Sequence, residues 1–204
     1  ALPRKAMSRP LWALLFGNFI IGCGVMAIGG VLNDLTRDLN ITVSKGGELI
    51  AIGAVMMGVG APLLAGAVTK VDRRRLLSWA MVWYALGFAL CAVAPSYEWL
   101  WPIRALTVLS AAVFTPQAAA VMGFMSTPAH RGRHITFVFM GWSVASVAGM
   151  PLAAWIGERV GWRVVMMIVA VGALAAAWMV HRALPKGIRP PALSWRAWRK
   201  VFKS

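Results

Sequence analysis

The sequence predicts an all-α membrane protein whose six transmembrane helices form a 3+3 inverted repeat. Three observations predict it. The composition is strongly apolar, six apolar stretches are long enough to cross a bilayer, and a Gly-x-Pro-Leu segment occurs twice at a fixed offset.

Hydrophobic residues make up 60% of the 204 residues and charged residues only 13%. Mean hydropathy is +0.71. Water-soluble domains average roughly 45–50% apolar and about 25% charged, so this chain lies on the membrane side. A helix needs ~20 residues to cross ~30 Å of hydrocarbon. Six stretches qualify: about Leu11–Val31, Leu49–Val68, Leu76–Ala94, Leu100–Phe124, Ile135–Ile156 and Val164–Leu184. In lipid each backbone amide needs an internal partner, which a helix supplies. Strand alternation is absent, which argues against a membrane barrel.

Gly60-Ala61-Pro62-Leu63-Leu64-Ala65 returns as Gly149-Met150-Pro151-Leu152-Ala153-Ala154, an offset of 89 residues. The match extends to Lys70-Val71 with Arg159-Val160 and to Arg74 with Arg163. Three spans separate equivalent points, so the copies have opposite orientations. Inverted repeats of this kind build secondary transporters. Repeat 1 is expected at about 11–94 and repeat 2 at about 100–184, within a six-helix domain of residues 1–184.

The net charge of +15 could suggest nucleic acid, but its placement points to lipid instead. With the N-terminus inside, sixteen of the 21 Lys and Arg fall in cytoplasmic segments, and Asp34, Asp38, Glu48, Glu98 and Glu158 fall outside. That asymmetry is the positive-inside bias, and it predicts both termini cytoplasmic. Arg159 and Arg163 break the rule as inverted counterparts of Lys70 and Arg74. Arg4, Lys5 and Arg9 resemble a signal n-region, but the apolar run that follows is span-length and lacks a small-residue cleavage site. The chain opens on Ala1 rather than Met, so preceding residues are expected. Cys23 and Cys91 fall inside spans and read as small hydrophobes rather than disulfide or metal partners.

The spans differ in polarity. Span 3 carries only Ser78 and Tyr84, and span 6 nothing polar before His181; both suit lipid-facing positions. Spans 1, 2, 4 and 5 are richer in glycine and small polar groups and are candidates for an interior or a cavity, with spans 3 and 6 outside. In span 5, Gly141, Ala145, Gly149, Ala153 and Gly157 recur every fourth residue, one i±4 ridge of a helix. Such a ridge lets another backbone approach closely, as a static seam or as one that opens and closes. Pro151 removes the hydrogen bond to the Val147 carbonyl. Gly58, Pro62 and Gly66 offer a shorter stripe on span 2, the segment that also holds Gly60.

Gly141 through Gly149-Met150-Pro151-Leu152 to Gly157, followed by Gly161-Trp162-Arg163, resembles the antiporter motif of the major facilitator superfamily. The pattern is similar to its bacterial drug and sugar efflux branch, the arabinose-efflux-like permeases. Gly60-Ala61-Pro62-Leu63-Leu64, Arg73-Arg74-Arg75-Leu76-Leu77 and Ala94-Pro95-Ser96-Tyr97 also look like that branch. The resemblance runs from about Phe16 to Leu184. It implies a twelve-helix fold in the bacterial inner membrane, of which this chain supplies the first six helices. It implies proton-coupled efflux of a small organic molecule by alternating access, with a C-terminal six-helix half as partner. Residues 185–204 then read as the start of a cytoplasmic linker. Its basic and aromatic Ser194–Lys200 suits either a membrane-surface helix or a solvated tail. In this view the Gly141–Gly157 ridge is a surface prepared for the absent half. The loop between spans 2 and 3 departs from the superfamily pattern, with Lys70 for an acid and Arg73 for a glycine. Asp72, Arg74 and Arg75 remain to supply its ion pairing. In span 4, Thr107 and Val108 replace the usual Gln-Gly after the arginine.

Arg104 is the ionisable residue placed clearly within a span, and such charges are functional by default. By resemblance it would assist proton movement or bind an anionic group; otherwise its stem carries the charge to the headgroups. Asp34 and Glu48 are titratable candidates for coupling, or ordinary loop acids. Asn18, Gln117 and Ser143 could hydrogen-bond a solute or a neighbouring helix. No phosphate loop or metal cluster appears, and no cofactor or catalytic residue is expected. Gly141-Trp142-Ser143-Val144 fails the Gly-x-Ser-Gly of an intramembrane protease, and the paired Asn-Pro-Ala of a water channel is missing. The competing reading is a non-transporting six-helix assembly or regulatory partner.

Overall fold

The computed structural model describes residues 4–68 and 71–189. Its elements are α1 (Arg4–Gly30), α2 (Leu32–Asp38), α3 (Val43–Ala67), α4 (Arg73–Val93), α5 (Tyr97–Met125), α6 (Arg131–Val160) and α7 (Trp162–Ala183). Among the described residues there is no strand. All the helices but α2 are long and apolar enough to cross a membrane, and they correspond in order to the six expected spans. The helices overrun the apolar stretches, because hydropathy marks only the hydrocarbon-crossing part. At 30 residues, α6 is ~45 Å long and reaches into the headgroup layers. The short α2 was not expected. The tail segment Ser194–Lys200 and the Lys70 position lie outside the described residues.

The repeat is visible in three dimensions. α4 begins at Arg73 and α7 at Trp162, again 89 residues apart. The packing swaps helices between the repeats. α6, the second span of repeat 2, packs most extensively on α1, the first span of repeat 1; α3 packs in the same way on α5. The two third spans, α4 and α7, pack on one another. Neither repeat therefore makes a bundle by itself.

The α1–α6 seam uses the small ridge. Gly141, Ala145, Gly149, Ala153 and Gly157 are all buried. A Cβ placed on Gly141 would overlap the carbonyl oxygen of Leu15 and lie 2.9 Å from the Phe19 nitrogen. Further along, a Cβ on Gly22 would come within 2.6 Å of the Ala145 Cβ, and one on Gly30 within 2.8 Å of the Ala153 Cβ. This corrects one expectation: the ridge is filled by α1 of the same chain rather than kept for an absent half. The span 2 stripe is corrected as well. Gly46, Leu49, Gly53 and Gly60 form the buried line on α3, whereas Gly58 and Gly66 have open space where a side chain would stand. At 100° per residue, Gly58 and Pro62 lie about 200° round the helix from Gly60.

Burial also revises the ranking of spans. In α3 and α6 only 17% and 22% of the apolar stretch is buried, against 56% or more in α1, α4 and α5. The expected lipid-facing α4 buries Leu77, Met81, Tyr84, Phe88 and Cys91. Val55, Val59 and Leu63 on α3 and Val144, Val147 and Leu152 on α6 stay exposed.

Each end of the bundle is tied by carboxylates at helix N-termini. At the basic end, Asp72 caps α4, accepting from the Arg74 N–H at 2.9 Å and from the Gly187 N–H at 2.5 Å. The Arg73 amide donates to the Ile188 carbonyl at 3.0 Å. Burial pulls the Asp72 carboxyl upward, but hydrogen bonds from the Gly187, Arg74 and Arg75 amides outweigh it and hold the group below its ordinary value. At the acidic end, Gly161 stands at the position equivalent to Asp72. It has φ 91° and supplies no side-chain cap to α7. Asp34 of α2 takes that place, accepting from the Trp162 N–H at 2.7 Å. Asp38 accepts from Trp162 Nε1 at 3.0 Å and from Arg163, which also donates to the Ala94 carbonyl at 3.1 Å.

Two outcomes are expected. Gly141→Ala lowers stability by about 1–3 kcal/mol through overpacking, whereas Gly58→Ala stays within about 0.5 kcal/mol, as read by thermal unfolding in detergent. The hydrogen bond from Arg163, then that from Trp162, hold the Asp38 carboxyl below its ordinary value. A carboxyl lowered by folding stabilises the protein above its unfolded pKa, about 3.9. The stabilisation disappears as the pH falls through the lowered folded value. Asp38 and Arg163 are both more than a third exposed, so Asp38→Asn costs only about 0.5–1 kcal/mol at neutral pH. That gap closes in acid; a gap unchanged from pH 7 to pH 3 contradicts the assignment.

Candidate functional site

Arg104 lies on α5 and is 1% exposed. It does not carry its charge out to the headgroups. Its guanidinium meets α1, where Nη1 is 3.3 Å from the Gly24 carbonyl oxygen and Nη2 is 3.4 Å from that of Val25. Both contacts are at the long limit of a hydrogen bond. The Phe88 ring of α4 lies 5.6 Å away, within cation–π range. On the α3 side, a Cβ on Gly53 would sit 3.7 Å from Nη2, so the glycine leaves the charge a shallow margin of space. Nε is buried without an acceptor, and no ion pair reaches Arg104 among the described residues. A buried charge is tolerated when paired and fully hydrogen-bonded; this one is held by two long contacts and a ring face.

The surroundings explain how it is positioned. Tyr84 of α4 is fully buried, and its hydroxyl donates to the Ile21 carbonyl at 2.9 Å. Its ring lies 4.7 Å from that of Phe88. These two rings fill the room left by Gly24, where a Cβ would meet both. Thr107 Oγ1 returns to the Ile103 carbonyl at 2.6 Å, and Gly87 of α4 packs directly over it. Four helices thus converge on Arg104, drawn from both repeats.

A second polar junction lies nearer the basic end. Asn18 is fully buried. Its amide nitrogen donates to the Val138 carbonyl on α6 at 3.2 Å, and its oxygen accepts from Thr115 on α5 at 3.0 Å. Asn18 therefore bonds neighbouring helices. Gln117 is half-buried and Ser143 is exposed on α6; the structure does not gather these two with Asn18. Asp34 is occupied at the α7 N-terminus, and Glu48 accepts from the Tyr97 hydroxyl at 2.7 Å. Neither acid bonds Arg104.

Sequence reasoning placed Arg104 and Asn18 within the membrane but missed their partners. Tyr84 and Phe88 sat in a span that read as lipid-facing, and Thr115 is one of several small polar groups along span 4. The available signal was one phenol inside an otherwise apolar span. A hydroxyl at that depth needs a partner. Pro62 and Pro151 sit within helices that continue past them. Arg74 and Arg75 lie in the first turn of α4, with Asp72 as its cap.

Comparison with known proteins agrees with this architecture. The family model described as Major Facilitator Superfamily matches residues 14–204. The chain is 34% identical over 180 residues to the inner membrane transport protein YdhP of Escherichia coli K12, covering 87% of this chain and 46% of that protein. It is 32% identical over 181 residues to the chloramphenicol resistance protein of Streptomyces lividans, covering 89% and 46%. In structure it resembles a bacterial homologue of the human lysosomal transporter Spinster, solved inward-facing and unoccupied. The TM-score there is 0.79 at 16% identity, over all of this chain and 50% of that one. The chain spans about half the length of the curated relatives it matches. With six apolar helices, a family match over most of its length and a fold shared with half of a solved relative, this multi-pass membrane chain belongs to the Major Facilitator Superfamily.

Proposed function

We propose that the chain is the N-terminal half of a twelve-helix transporter that exports a small organic molecule in exchange for protons, by alternating access. The observation that carries the reading is Arg104, a buried guanidinium with incomplete hydrogen bonding at the junction of α1, α3, α4 and α5. Such a group attracts whatever anionic or acceptor group comes within reach, because the alternative is an under-compensated charge in low dielectric. A substrate acceptor, or a carboxylate supplied by the other half, would complete its bonding in one state and release it in another. That is differential stabilisation of two conformations, the requirement for a coupled cycle.

The rest of the molecule fits this role. α3 and α6 are the least buried spans and expose Val55, Val59, Val144 and Val147; these faces are where a second six-helix half would pack. Relatives about twice as long support the same view. The basic end, carrying Arg74, Arg75, Arg131 and Arg133, is assigned to the cytoplasmic side of a bacterial inner membrane by the positive-inside bias. The name of the Streptomyces relative makes efflux of antibiotic-sized molecules the class to test first.

In cells expressing the full-length protein, a panel of small antibiotics including chloramphenicol is expected to accumulate less. Arg104→Ala abolishes this export at normal expression, and Arg104→Lys leaves it reduced by about tenfold or more, since a point charge replaces a planar fork. Export at the parent rate by Arg104→Ala overturns the assignment of Arg104. Export by the six-helix chain alone overturns the half-transporter reading.

A further inference from the structure

At the basic end, α1 and α6 part to leave a cavity of about 970 Å³. Ligand sites usually measure roughly 300–1,000 Å³, so this one is large enough for a sizeable molecule. It lies apart from Arg104, and the proposed transport cycle makes no use of it. We propose that it is a binding site for an anionic phospholipid, with the phosphate held by Arg133, His130 and His134 and the chain lying on Trp12, Phe137 and Met140.

The chemistry of the walls is graded. His130, Arg133 and His134 stand at the start of α6, while Phe137 and Met140 lie further along the same helix. Arg133, Phe137 and Met140 have i, i+4, i+7 spacing and share one face. From Arg133 to Met140 the helix rises ~10 Å. The cavity thus offers cations at the water-facing end and apolar surface at membrane depth. A free phosphate would use only the first; a neutral solute would use only the second.

The histidines are oriented by their own loop. Ser126 Oγ lies 2.7 Å from His134 Nδ1, and Thr127 Oγ1 lies 3.0 Å from His130 Nδ1. In the tautomer where the hydroxyls donate to Nδ1, each Nε2 carries the ring proton and is a hydrogen-bond donor. The rings stand nearly parallel with centroids 6.0 Å apart, close enough for both donors to serve one phosphate group. Arg133 adds a planar fork suited to phosphate oxygens. Among the described residues, Asp72 is the acid at this end of the bundle, and it is engaged with the backbone amides of Arg74 on α4 and Gly187 beyond α7. The cations of the cavity therefore have no carboxylate of their own.

Trp12 forms the other side. It is 58% exposed and meets Phe137 edge-on, with centroids 5.1 Å apart. Tryptophan is enriched where apolar body and polar tip meet the membrane interface. Trp12 also walls a second cleft of about 500 Å³ towards α7, where Arg9 and Arg182 accompany Trp178. The pairing of cation and aromatic side chain continues around this end of α1.

The test uses the full-length protein in phosphatidylcholine nanodiscs with rising phosphatidylglycerol, and bound lipid is counted by native mass spectrometry. One phosphatidylglycerol is expected to be retained saturably. Arg133→Gln, and the double variant His130→Gln with His134→Gln, lower its apparent affinity by about tenfold, the usual scale for a charge-assisted hydrogen bond. Trp12→Ala also weakens it. Arg189→Gln, at the same end but outside the cavity, leaves it unchanged. Near-UV circular dichroism of each variant confirms the parent fold. The proposal is overturned by three results: no saturable retention, an equal loss with Arg189→Gln, which marks diffuse surface attraction, or displacement by glycerol phosphate at the same concentration as lipid, which marks a site for the free anion.

Discussion

The approach of α6 to the backbone of α1 at Gly141 is the contact on which the rest of the bundle depends. In lipid, apolar side chains gain little by leaving one hydrocarbon environment for another, so helices associate through close packing and hydrogen bonds. The ridge from Gly141 to Gly157 supplies that closeness over four turns, and Gly22 and Gly30 answer it from α1. Because α1 and α6 come from different repeats, this contact interlocks them. The equivalent seam of α3 on α5, through Gly53 and Gly60, completes the interlock. Arg104 is enclosed only as a result. Its contacts on α1, α3 and α4 are assembled from segments that are far apart in the chain.

The two ends show how a duplicated design departs from symmetry. In repeat 1 the third span carries its own cap, Asp72. In repeat 2 the equivalent position is Gly161, whose positive φ suits a residue without a side chain, and a carboxylate must come from elsewhere. Asp34 supplies it from α2, and Asp38 adds bonds to Trp162 and Arg163. A helix N-terminus favours a negative group whichever residue brings it. The consequence is mechanical: α2 ties the first span of repeat 1 to the last span of repeat 2. At the basic end Asp72 makes a comparable link to Gly187, beyond α7. Both ends of the bundle are therefore braced by a carboxylate that reaches across elements.

The interior holds its polar groups in two different conditions. Asn18 has a donor and an acceptor on neighbouring helices and is a structural cross-link between α1, α5 and α6. Arg104 has more donors than acceptors within reach. A protein that needed only stability would do better with an apolar side chain of similar volume there. The under-satisfied guanidinium separates the candidate working group from the polar residues that hold the helices together.

Much of the architecture was legible in one dimension. Span count follows from apolar length against bilayer thickness. The repeat follows from Gly60 and Pro62 matching Gly149 and Pro151. The depth of Arg104 follows from its place in an apolar run. The spacing of Gly141 to Gly157 identified a seam but not its occupant. All lipid-embedded helices look alike to hydropathy, and a row of small residues specifies distance rather than partner. The sequence therefore could not say that α1 fills that ridge. Nor could it show that α4 is buried around Tyr84 and Phe88, that Asp34 caps a helix 128 residues away, or that His130, Arg133 and His134 share a cavity with Trp12. Those facts depend on which helices meet, and that was decided by tertiary packing between the two repeats.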